Sequence, residues 1–399
     1  MEMSAIDKER AAMCALNRLL GYEPVTAHRL LDVLGSASAA FELDRCSVTE
    51  VLGPYTKYAD GLTREAVDKA WEELAGLYRQ GYRFICYTDP DYPALLKECE
   101  DAPVGLYVRS GFPLGEVFGK RPALAIVGTR DLSLYGKEWC VRIVEAMARS
   151  ARPPLIVSGF ALGTDIVAHA TALECVLPTV AVLPTGIDDI YPQRHRRWAE
   201  RMDSTPGCAL VTDYPPGTPP IAINFLRRNR IIAGLSSATV LIESRKKGGG
   251  LITADFAFGY ARDVYALPGR VDDLRSQGCN LLIKRRIAEA IVSPEALVSD
   301  LGLGVRTRRN ASRLQDEIEQ VYGGTAAPEE LAFLTAVAEC IRKNRGITPE
   351  EIALRLGSNP AEAAAATAML EADGIIETDL MQGCSIRLKV DNISYLCTP

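Results

Sequence analysis

A short basic cluster follows an aromatic residue in the middle of the chain. Phe225 is followed closely by Arg227, Arg228, Asn229 and Arg230. A guanidinium group can form paired hydrogen bonds with phosphate oxygens, and an aromatic ring can stack on any nucleic-acid base. Two prolines precede the cluster and an apolar run follows it, so an extended approach leads into a buried element. The cluster fits either a nucleotide site or the solvated face of an amphipathic helix.

The basic cluster lies within a regular alternation of apolar strands and helices. The predicted strands are 123–128, 155–159, 179–184, 209–213, 238–243 and 264–268, and most of the segments between them are predicted to be helices. Continuous apolar strands that alternate with helices are typical of a parallel sheet covered on both faces. Right-handed crossovers then place the carboxyl ends of all these strands at one edge of the sheet.

Small, polar and turn-forming residues follow these strands. They are Gly128-Thr129-Arg130, Ser158-Gly159, Pro184-Thr185-Gly186, Asp213-Tyr214-Pro215, Glu243-Ser244 and Pro268-Gly269. Ligands of open parallel sheets bind outside the carboxyl ends of the strands. A tight turn explains each glycine or proline by itself, but six such strand ends together favour a binding site, to which Arg130 supplies positive charge.

A glycine run, 248–250, opens the predicted helix after the strand at 238–243. Backbone N–H groups at such a helix start, with Lys247 beside them, suit an anion, although the run taken alone is better explained as a flexible turn. The chain contains neither the Gly-x-Gly-x-x-Gly pattern of a dinucleotide site nor the Gly-x-x-x-x-Gly-Lys pattern of a phosphate-binding loop. The sequence also offers no convincing Ser-His-Asp or Cys-His arrangement.

The two ends of the chain are predicted to form smaller modules. Apolar residues recur at helical spacing up to about residue 80, which predicts a small helical domain. Three helices predicted over 329–342, 348–356 and 360–372, followed by two strands, have the outline of a winged-helix domain. The third of these helices contains no Lys or Arg, so we interpret this domain as a protein-contact or packing module rather than a DNA reader.

The composition excludes several classes of protein. No apolar run approaches the roughly 18 residues of a membrane span, and the charged start lacks the apolar core of a signal peptide. The 11 cysteines form no Cys-x-x-Cys pair and only 3 histidines are present, which argues against disulfides and zinc. We therefore expect a cytoplasmic protein with reduced thiols, no metal and no membrane contact. The net charge of -6 still permits a local basic groove.

Taken together, the motifs resemble those of the DNA-processing protein A family (DprA, also called Smf), across essentially the whole chain. The matching runs include Val127-Gly-Thr-Arg, Ser158-Gly-Phe-Ala-Leu-Gly-Thr-Asp, Gly186-Ile-Asp-Asp-Ile-Tyr-Pro, Phe225-Leu-Arg-Arg-Asn-Arg-Ile-Ile-Ala-Gly-Leu-Ser and Gly249-Gly-Leu-Ile-Thr-Ala. Each run alone is a weak signal, but their joint order and spacing are specific. The resemblance implies an α/β fold in which an extended Rossmann-like parallel sheet at 81–300 follows a helical SAM-like domain at 1–80. A linker at 301–326 and a winged-helix domain at 327–399 complete the chain.

The resemblance also implies a function. Family members bind single-stranded DNA without enzymatic turnover or a cofactor, protect incoming strands in natural transformation and load the RecA recombinase. They are typically homodimers through the sheet domain. By resemblance, Arg130 holds phosphate, Phe225 stacks on bases, Arg228, Asn229 and Arg230 line the pocket, and Lys247 contacts the DNA backbone. The DNA-binding residues implied in this way are Gly128, Thr129, Arg130, Ser158, Gly159, Phe225, Arg228, Asn229, Arg230, Lys247 and Gly249.

Two alternatives remain open on the sequence. The first is a nucleotide-handling hydrolase similar to the phosphoribohydrolases, favoured by the glycine loop at Gly248 and by the nearby carboxylate of Glu243. The sequence lacks the Pro-Gly-Gly-x-Gly-Thr run of that family. The second is a structural recombination mediator that acts only through its terminal domains.

Overall fold

The computed structural model describes residues 4–119, 121–304, 318–324, 326–344, 346–378 and 382–386. The chain divides into two compact units, Met1–Arg306 and Thr307–Pro399. Half of the predicted linker (305–317) and the end of the second predicted C-terminal strand (387–390) lie outside the described residues.

Five helices open the first unit. They are α1 (Ala5–Leu20), α2 (Pro24–Leu34), α3 (Ala37–Ala40), α4 (Arg45–Leu52) and α5 (Arg64–Arg79). Side-chain oxygens of Ser4, Asp44 and Thr63 accept hydrogen bonds from the first turns of α1, α4 and α5, which explains where these helices begin. Their apolar faces share one core with residues of the sheet such as Tyr107 and Leu183. The helical N-terminal part predicted from the sequence is thus confirmed.

A nine-stranded sheet, together with the helices that cover it, forms the rest of the first unit. Its strands are β1 (Arg83–Cys86), β2 (Gly105–Arg109), β3 (Ala123–Val127), β4 (Leu155–Ser158), β5 (Thr179–Val182), β6 (Ala209–Thr212), β7 (Ala238–Leu241), β8 (Asp263–Ala266) and β9 (Glu289–Ala290). The spatial order is β1-β2-β6-β5-β4-β3-β7-β8-β9. Strands β3 to β9 pair in parallel, whereas β1 pairs with β2, and β2 with β6, in antiparallel fashion. The predicted parallel sheet is confirmed, and it carries an antiparallel extension at one edge.

Helices cover both faces of this sheet. They are α6 (Ala94–Lys97), α7 (Leu114–Val117), α8 (Leu134–Arg149), α9 (Thr164–Glu174), the 3-10 turn η1 (Gln193–His195), α10 (Arg196–Asp203), α11 (Ala222–Gly234), α12 (Gly249–Gly259), α13 (Gln277–Lys284) and α14 (Pro294–Asp300). Alternate residues of β3 point to opposite faces. Leu124 and Ile126 belong to one apolar core with Val144 of α8, while Val127 belongs to another with Ile231 of α11. Burial on both faces explains why these strands are continuously apolar.

The second unit contains three helices and a two-stranded sheet among its described residues. These are α15 (Pro328–Lys343), α16 (Pro349–Leu356), α17 (Pro360–Ala372), β10 (Ile376–Thr378) and β11 (Cys384–Ile386), which pairs antiparallel with β10. A helical segment at 318–322 precedes them. Val337, Ile352 and Leu370 lie in their common core. These elements lie where the sequence predicted helices and strands, and their assignment as a winged helix stays a prediction.

The cysteines of the described residues carry free thiols, and most of them are buried. Burial raises the pKa of the Cys86 thiol to about 12 and that of Cys208 to about 11. Thiols of this kind are packing groups, because reactivity requires the thiolate. Among the helices that the structure describes, none is both long and apolar enough to cross a membrane.

Candidate functional site

The order of the strands reverses beside β3. From β3 the chain proceeds through β4, β5 and β6 on one side, and β7 then lies on the other side of β3. The segments that follow β3 and β7 diverge to opposite faces of the sheet, which leaves a crevice at the carboxyl edge. A Cβ atom on Gly250 would lie only 3.2 Å from the Cα of Gly128. The start of α12 therefore packs directly on the backbone that follows β3.

Three exposed or half-buried side chains form a connected surface at this edge. The Arg130 guanidinium lies over the Phe225 ring, with Cζ 4.6 Å from the ring centroid. The ring of Tyr191 meets Phe225 edge-on, with centroids 5.7 Å apart and an angle of 76° between the planes. Arg130 is exposed and has no ion pair among the described residues, and Tyr191 is 40% exposed. We call these three residues the arginine–aromatic surface.

The loop that carries Arg130 is held by the start of α9. The Thr129 carbonyl oxygen accepts hydrogen bonds from the Thr164 backbone N–H at 3.2 Å and from the Thr164 hydroxyl at 3.3 Å. The Thr129 hydroxyl accepts a further bond from the Asp131 backbone N–H at 3.2 Å. Gly163, which precedes α9, has φ 75° and ψ -122°, a backbone conformation that residues other than glycine rarely adopt. Glycine at position 163 therefore lets the start of α9 pack against the backbone of the loop that carries Arg130.

We expect Gly163→Ala to destabilise the protein by about 1–3 kcal/mol, because alanine is strained at this φ and ψ. The new Cβ would also lie 2.3 Å from the Thr129 carbonyl oxygen, a backbone atom that cannot rotate away. Thermal unfolding measures the loss. Gly249→Ala is the matched control, because no atom lies within 4 Å of its added Cβ. Equal melting temperatures for the two variants would contradict the proposed constraint.

Arg228 forms a buried layer beneath the crevice. The Arg228 side chain is 3% exposed, and its Nη1 donates a hydrogen bond to the Val182 carbonyl. It also lies close to Gly159, because a Cβ atom on that glycine would be 2.2 Å from the Arg228 Nη1. Burial lowers the pKa of Arg228 to about 10, and attraction to the buried carboxylate of Asp165 opposes this shift. Burial likewise raises the pKa of Asp165, and the attraction of the Arg228 guanidinium is the main effect that opposes this rise. A side chain at position 159 would therefore displace the Arg228 guanidinium and the Asp165 carboxylate.

The polar and aromatic residues at the end of β4 and after it pack against other parts of the protein. The Ser158 hydroxyl donates to the Ile126 carbonyl at 2.6 Å and is fully buried. The Phe160 ring lies edge-on between the rings of His169 and His195, at centroid distances of 5.6 and 5.4 Å. Burial lowers the pKa of His169 to about 3, so this imidazole is neutral at physiological pH. The Ser158 hydroxyl and the His169 ring are therefore engaged in contacts within the protein.

The remaining polar residues of α11 bond to other elements of the protein. The Asn229 side chain donates to the Gly249 carbonyl at 3.3 Å, which joins α11 to the start of α12. Arg230 and Asp213 form a buried ion pair with Nη2 and Oδ2 2.5 Å apart, and the Arg230 Nη1 donates to the Asp101 carbonyl. The side chains of this pair are 8% and 4% exposed. Both arms of the Arg230 guanidinium are therefore occupied by protein acceptors.

Arg227 lies against the N-terminal helices. Its Cζ atom is 4.4 Å from the centroid of the Tyr22 ring. The Tyr22 hydroxyl in turn donates to the Asn224 side chain at 2.9 Å. The first turns of α11 are thus attached to the loop between α1 and α2.

The segment before α12 carries an exposed cation and a buried carboxylate. Lys247 is exposed, without an ion pair among the described residues, and Gly249 is exposed as well. Glu243 is 1% exposed, and it accepts hydrogen bonds from the Ser133 hydroxyl at 2.5 Å and from the Ser133 backbone N–H at 3.0 Å. Glu243 therefore holds the start of α8, which weakens the hydrolase alternative that depended on this carboxylate.

The structure divides the predicted site residues into two layers. Arg130 and Phe225 are in contact at the surface, whereas Ser158, Arg228, Asn229 and Arg230 are buried behind them. Sequence reasoning did not select Tyr191. The feature of the sequence that could have identified Tyr191 is its position in the Gly186-Ile-Asp-Asp-Ile-Tyr-Pro run, which follows the predicted strand at 179–184.

The fold and this surface define an α/β protein with a doubly wound sheet and a cationic, aromatic surface at its topological switch point. A family model described as DNA recombination-mediator protein A matches residues 83–302. The chain belongs to the DNA recombination-mediator protein A family, which confirms the resemblance found in the sequence.

Individual relatives extend this match over most of the chain. A Protein Smf from Synechocystis is 34% identical over 297 residues, which are 74% of this chain and 73% of the relative. A putative DNA processing protein DprA from Mycobacterium tuberculosis is 31% identical over 392 residues, 93% of each chain. The solved structure of DNA processing protein A from Streptococcus pneumoniae has a TM-score of 0.60 and 27% identity, and the match covers 75% of this chain and 99% of that one.

Proposed function

We propose that this protein is a single-stranded DNA-binding recombination mediator that acts without enzymatic turnover. The observation that carries the proposal is the exposed Arg130 guanidinium lying over the half-buried Phe225 ring at the carboxyl edge of the sheet. Where a cation lies beside a partly exposed ring, the cation can bind a phosphate and the ring can stack on the adjacent base, whatever the identity of that base. Membership in a DNA recombination-mediator family supports the same conclusion.

In this proposal the two layers of the site have different tasks. Arg130 and Lys247 contact phosphates, and Phe225 stacks on a base. Small residues at the strand and helix ends, Gly128 and Gly249 among them, let the strand approach the protein backbone closely. The further residues Thr129, Ser158, Gly159, Arg228, Asn229 and Arg230 shape the pocket from behind by fixing α11 and the loop after β3.

The decisive experiment compares a labelled single strand with a duplex of equal length by fluorescence anisotropy at several salt concentrations. We expect tighter binding of the single strand, because a paired base cannot leave its stack to reach Phe225. The logarithm of the binding constant should fall linearly with the logarithm of salt concentration, by about 0.7 for each phosphate contacted. Equal or tighter binding of the duplex would rule out the proposal.

The finer parts of the function are proposals drawn from the family resemblance. We infer that the protein acts in the cytoplasm, protects incoming strands during natural transformation and loads RecA onto them. We also infer a homodimer formed through the sheet domain. Co-precipitation of RecA with the full chain and sedimentation of the protein at several concentrations test these two partners separately.

A further inference from the structure

We propose that the bound strand continues from the arginine–aromatic surface onto a second cationic surface on η1 and α10. This inference rests on the proposed function and extends the site in a defined direction. The second surface is formed by Arg194, Arg197 and Arg201 around Trp198. We call it the arginine face.

Helical geometry places these arginines together. Positions 194, 197 and 201 are three and four residues apart, a spacing that aligns side chains on one side of a helix. The buried residues His195, Ala199 and Met202 lie on the opposite side and anchor the segment. Glu200 lies three residues after Arg197, about 60° from it around the helix, at the edge of the arginine row, and forms no ion pair with it among the described residues. This side of the segment therefore carries three arginines and one carboxylate at its edge, over about 10 Å of helix axis between Arg194 and Arg201.

The charges of this face are largely uncompensated. Arg194 and Arg197 are exposed and form no ion pair within the described part of the chain. The Cζ atoms of Arg197 and Arg201 lie 5.1 and 5.7 Å from the centroid of the Trp198 ring, and Arg201 also donates to the Leu173 carbonyl at 3.2 Å. Stacking on the ring and this hydrogen bond hold two of the guanidinium groups in place without neutralising them. A protein with a net charge of -6 thus concentrates fixed cations here.

The two surfaces are joined by Tyr191. Its ring touches Phe225 on one side, and only two residues separate it from Arg194 in the sequence. The His195 backbone N–H donates to the Pro192 carbonyl at 2.9 Å, so the connection is itself a tight turn. A strand that stacks on Phe225 and passes Tyr191 meets the arginine face next. Phosphates along a flexible strand are the chemistry that such a cationic row recognises, independently of sequence.

The test separates the two surfaces by the length of the oligonucleotide. Anisotropy titrations use oligothymidylates of about six and about 20 nucleotides, because single-strand site sizes fall in this range. The variant is Arg194→Ala/Arg197→Ala. The matched control is Arg142→Ala/Arg149→Ala, which removes two exposed arginines from α8, one of them also stacked on a tryptophan. Melting curves verify that both variants are folded.

For the long oligonucleotide, we expect the variant to lower the salt slope by about 1.4, which is two contacts at about 0.7 each. Its affinity for the short oligonucleotide and both affinities of the control should stay within about twofold of the wild type. An unchanged slope for the long oligonucleotide, or an equal loss for both lengths, would overturn the second surface. Failure of the wild type to bind either oligonucleotide would instead overturn the proposed function, and this inference with it.

Discussion

Phe225→Ala is expected to weaken binding of single-stranded DNA by roughly 5- to 150-fold, because base stacking on an aromatic ring contributes about 1–3 kcal/mol. The ring carries no charge, so the salt slope of binding should stay near that of the wild type. Phe225→Tyr keeps a stacking surface and should retain most of the affinity. Anisotropy at several salt concentrations measures both quantities at once.

Arg130→Ala should give the complementary result. The loss of one phosphate contact should reduce the salt slope by about 0.7, so the variant is most impaired at low salt. Arg130→Lys keeps the charge but not the planar fork that lies on Phe225, and should recover only part of the affinity. If Phe225→Ala flattened the salt slope while Arg130→Ala left it unchanged, the roles assigned to the two residues would be wrong.

The second large effect concerns stability. Arg230→Ala leaves the carboxylate of Asp213 buried without its cation, and such a change typically costs about 3–5 kcal/mol. Domains of this kind are stable by only about 5–15 kcal/mol, so the variant should unfold at a much lower urea concentration than the wild type. Equilibrium urea denaturation followed by circular dichroism measures the free energy of unfolding.

Two controls make this stability experiment specific. Arg230→Met/Asp213→Leu removes both charges and should lose less stability than Arg230→Ala alone. Arg45→Ala breaks an ion pair with Asp60 whose side chains are 76% and 78% exposed, and should cost less than about 1 kcal/mol. If Arg230→Ala were as stable as Arg45→Ala and yet failed to bind DNA, Arg230 would contact DNA directly.

The sequence was sufficient to predict the parallel part of the sheet and to place Arg130 and Phe225 at the same edge of it. Each buried parallel strand is an unbroken apolar run, and parallel topology sends Arg130 after β3 to the same edge as the start of α11. Phe225 occupies the first turn of α11, so its approach to Arg130 follows from the order of the elements. The helix predicted at 164–174 was also found at α9.

The sequence could not show which guanidinium groups are buried. Arg227, Arg228 and Arg230 look equivalent in the chain, but they point to different sides of α11 and meet Tyr22, Val182 and Asp213 respectively. These partners come from three distant segments, and only the folded protein brings them to one helix. Tyr191 was missed for the same reason, because its contact with Phe225 joins the loop after β5 to α11, and η1, α10 and β6 lie between them in the chain.

The attachment of α11 to the N-terminal helices has a thermodynamic consequence. Arg227 and Asn224 of α11 both contact Tyr22, and Asn17 of α1 donates to the Asp213 carbonyl at 2.8 Å. The helix that presents Phe225 to a ligand is thus also part of the junction with the helical module. A ligand that changes the arrangement of α11 therefore also changes its contacts with the N-terminal helices, and linkage makes this coupling reciprocal. A partner that binds the N-terminal helices and changes these contacts would change the affinity at the carboxyl edge of the sheet without touching it.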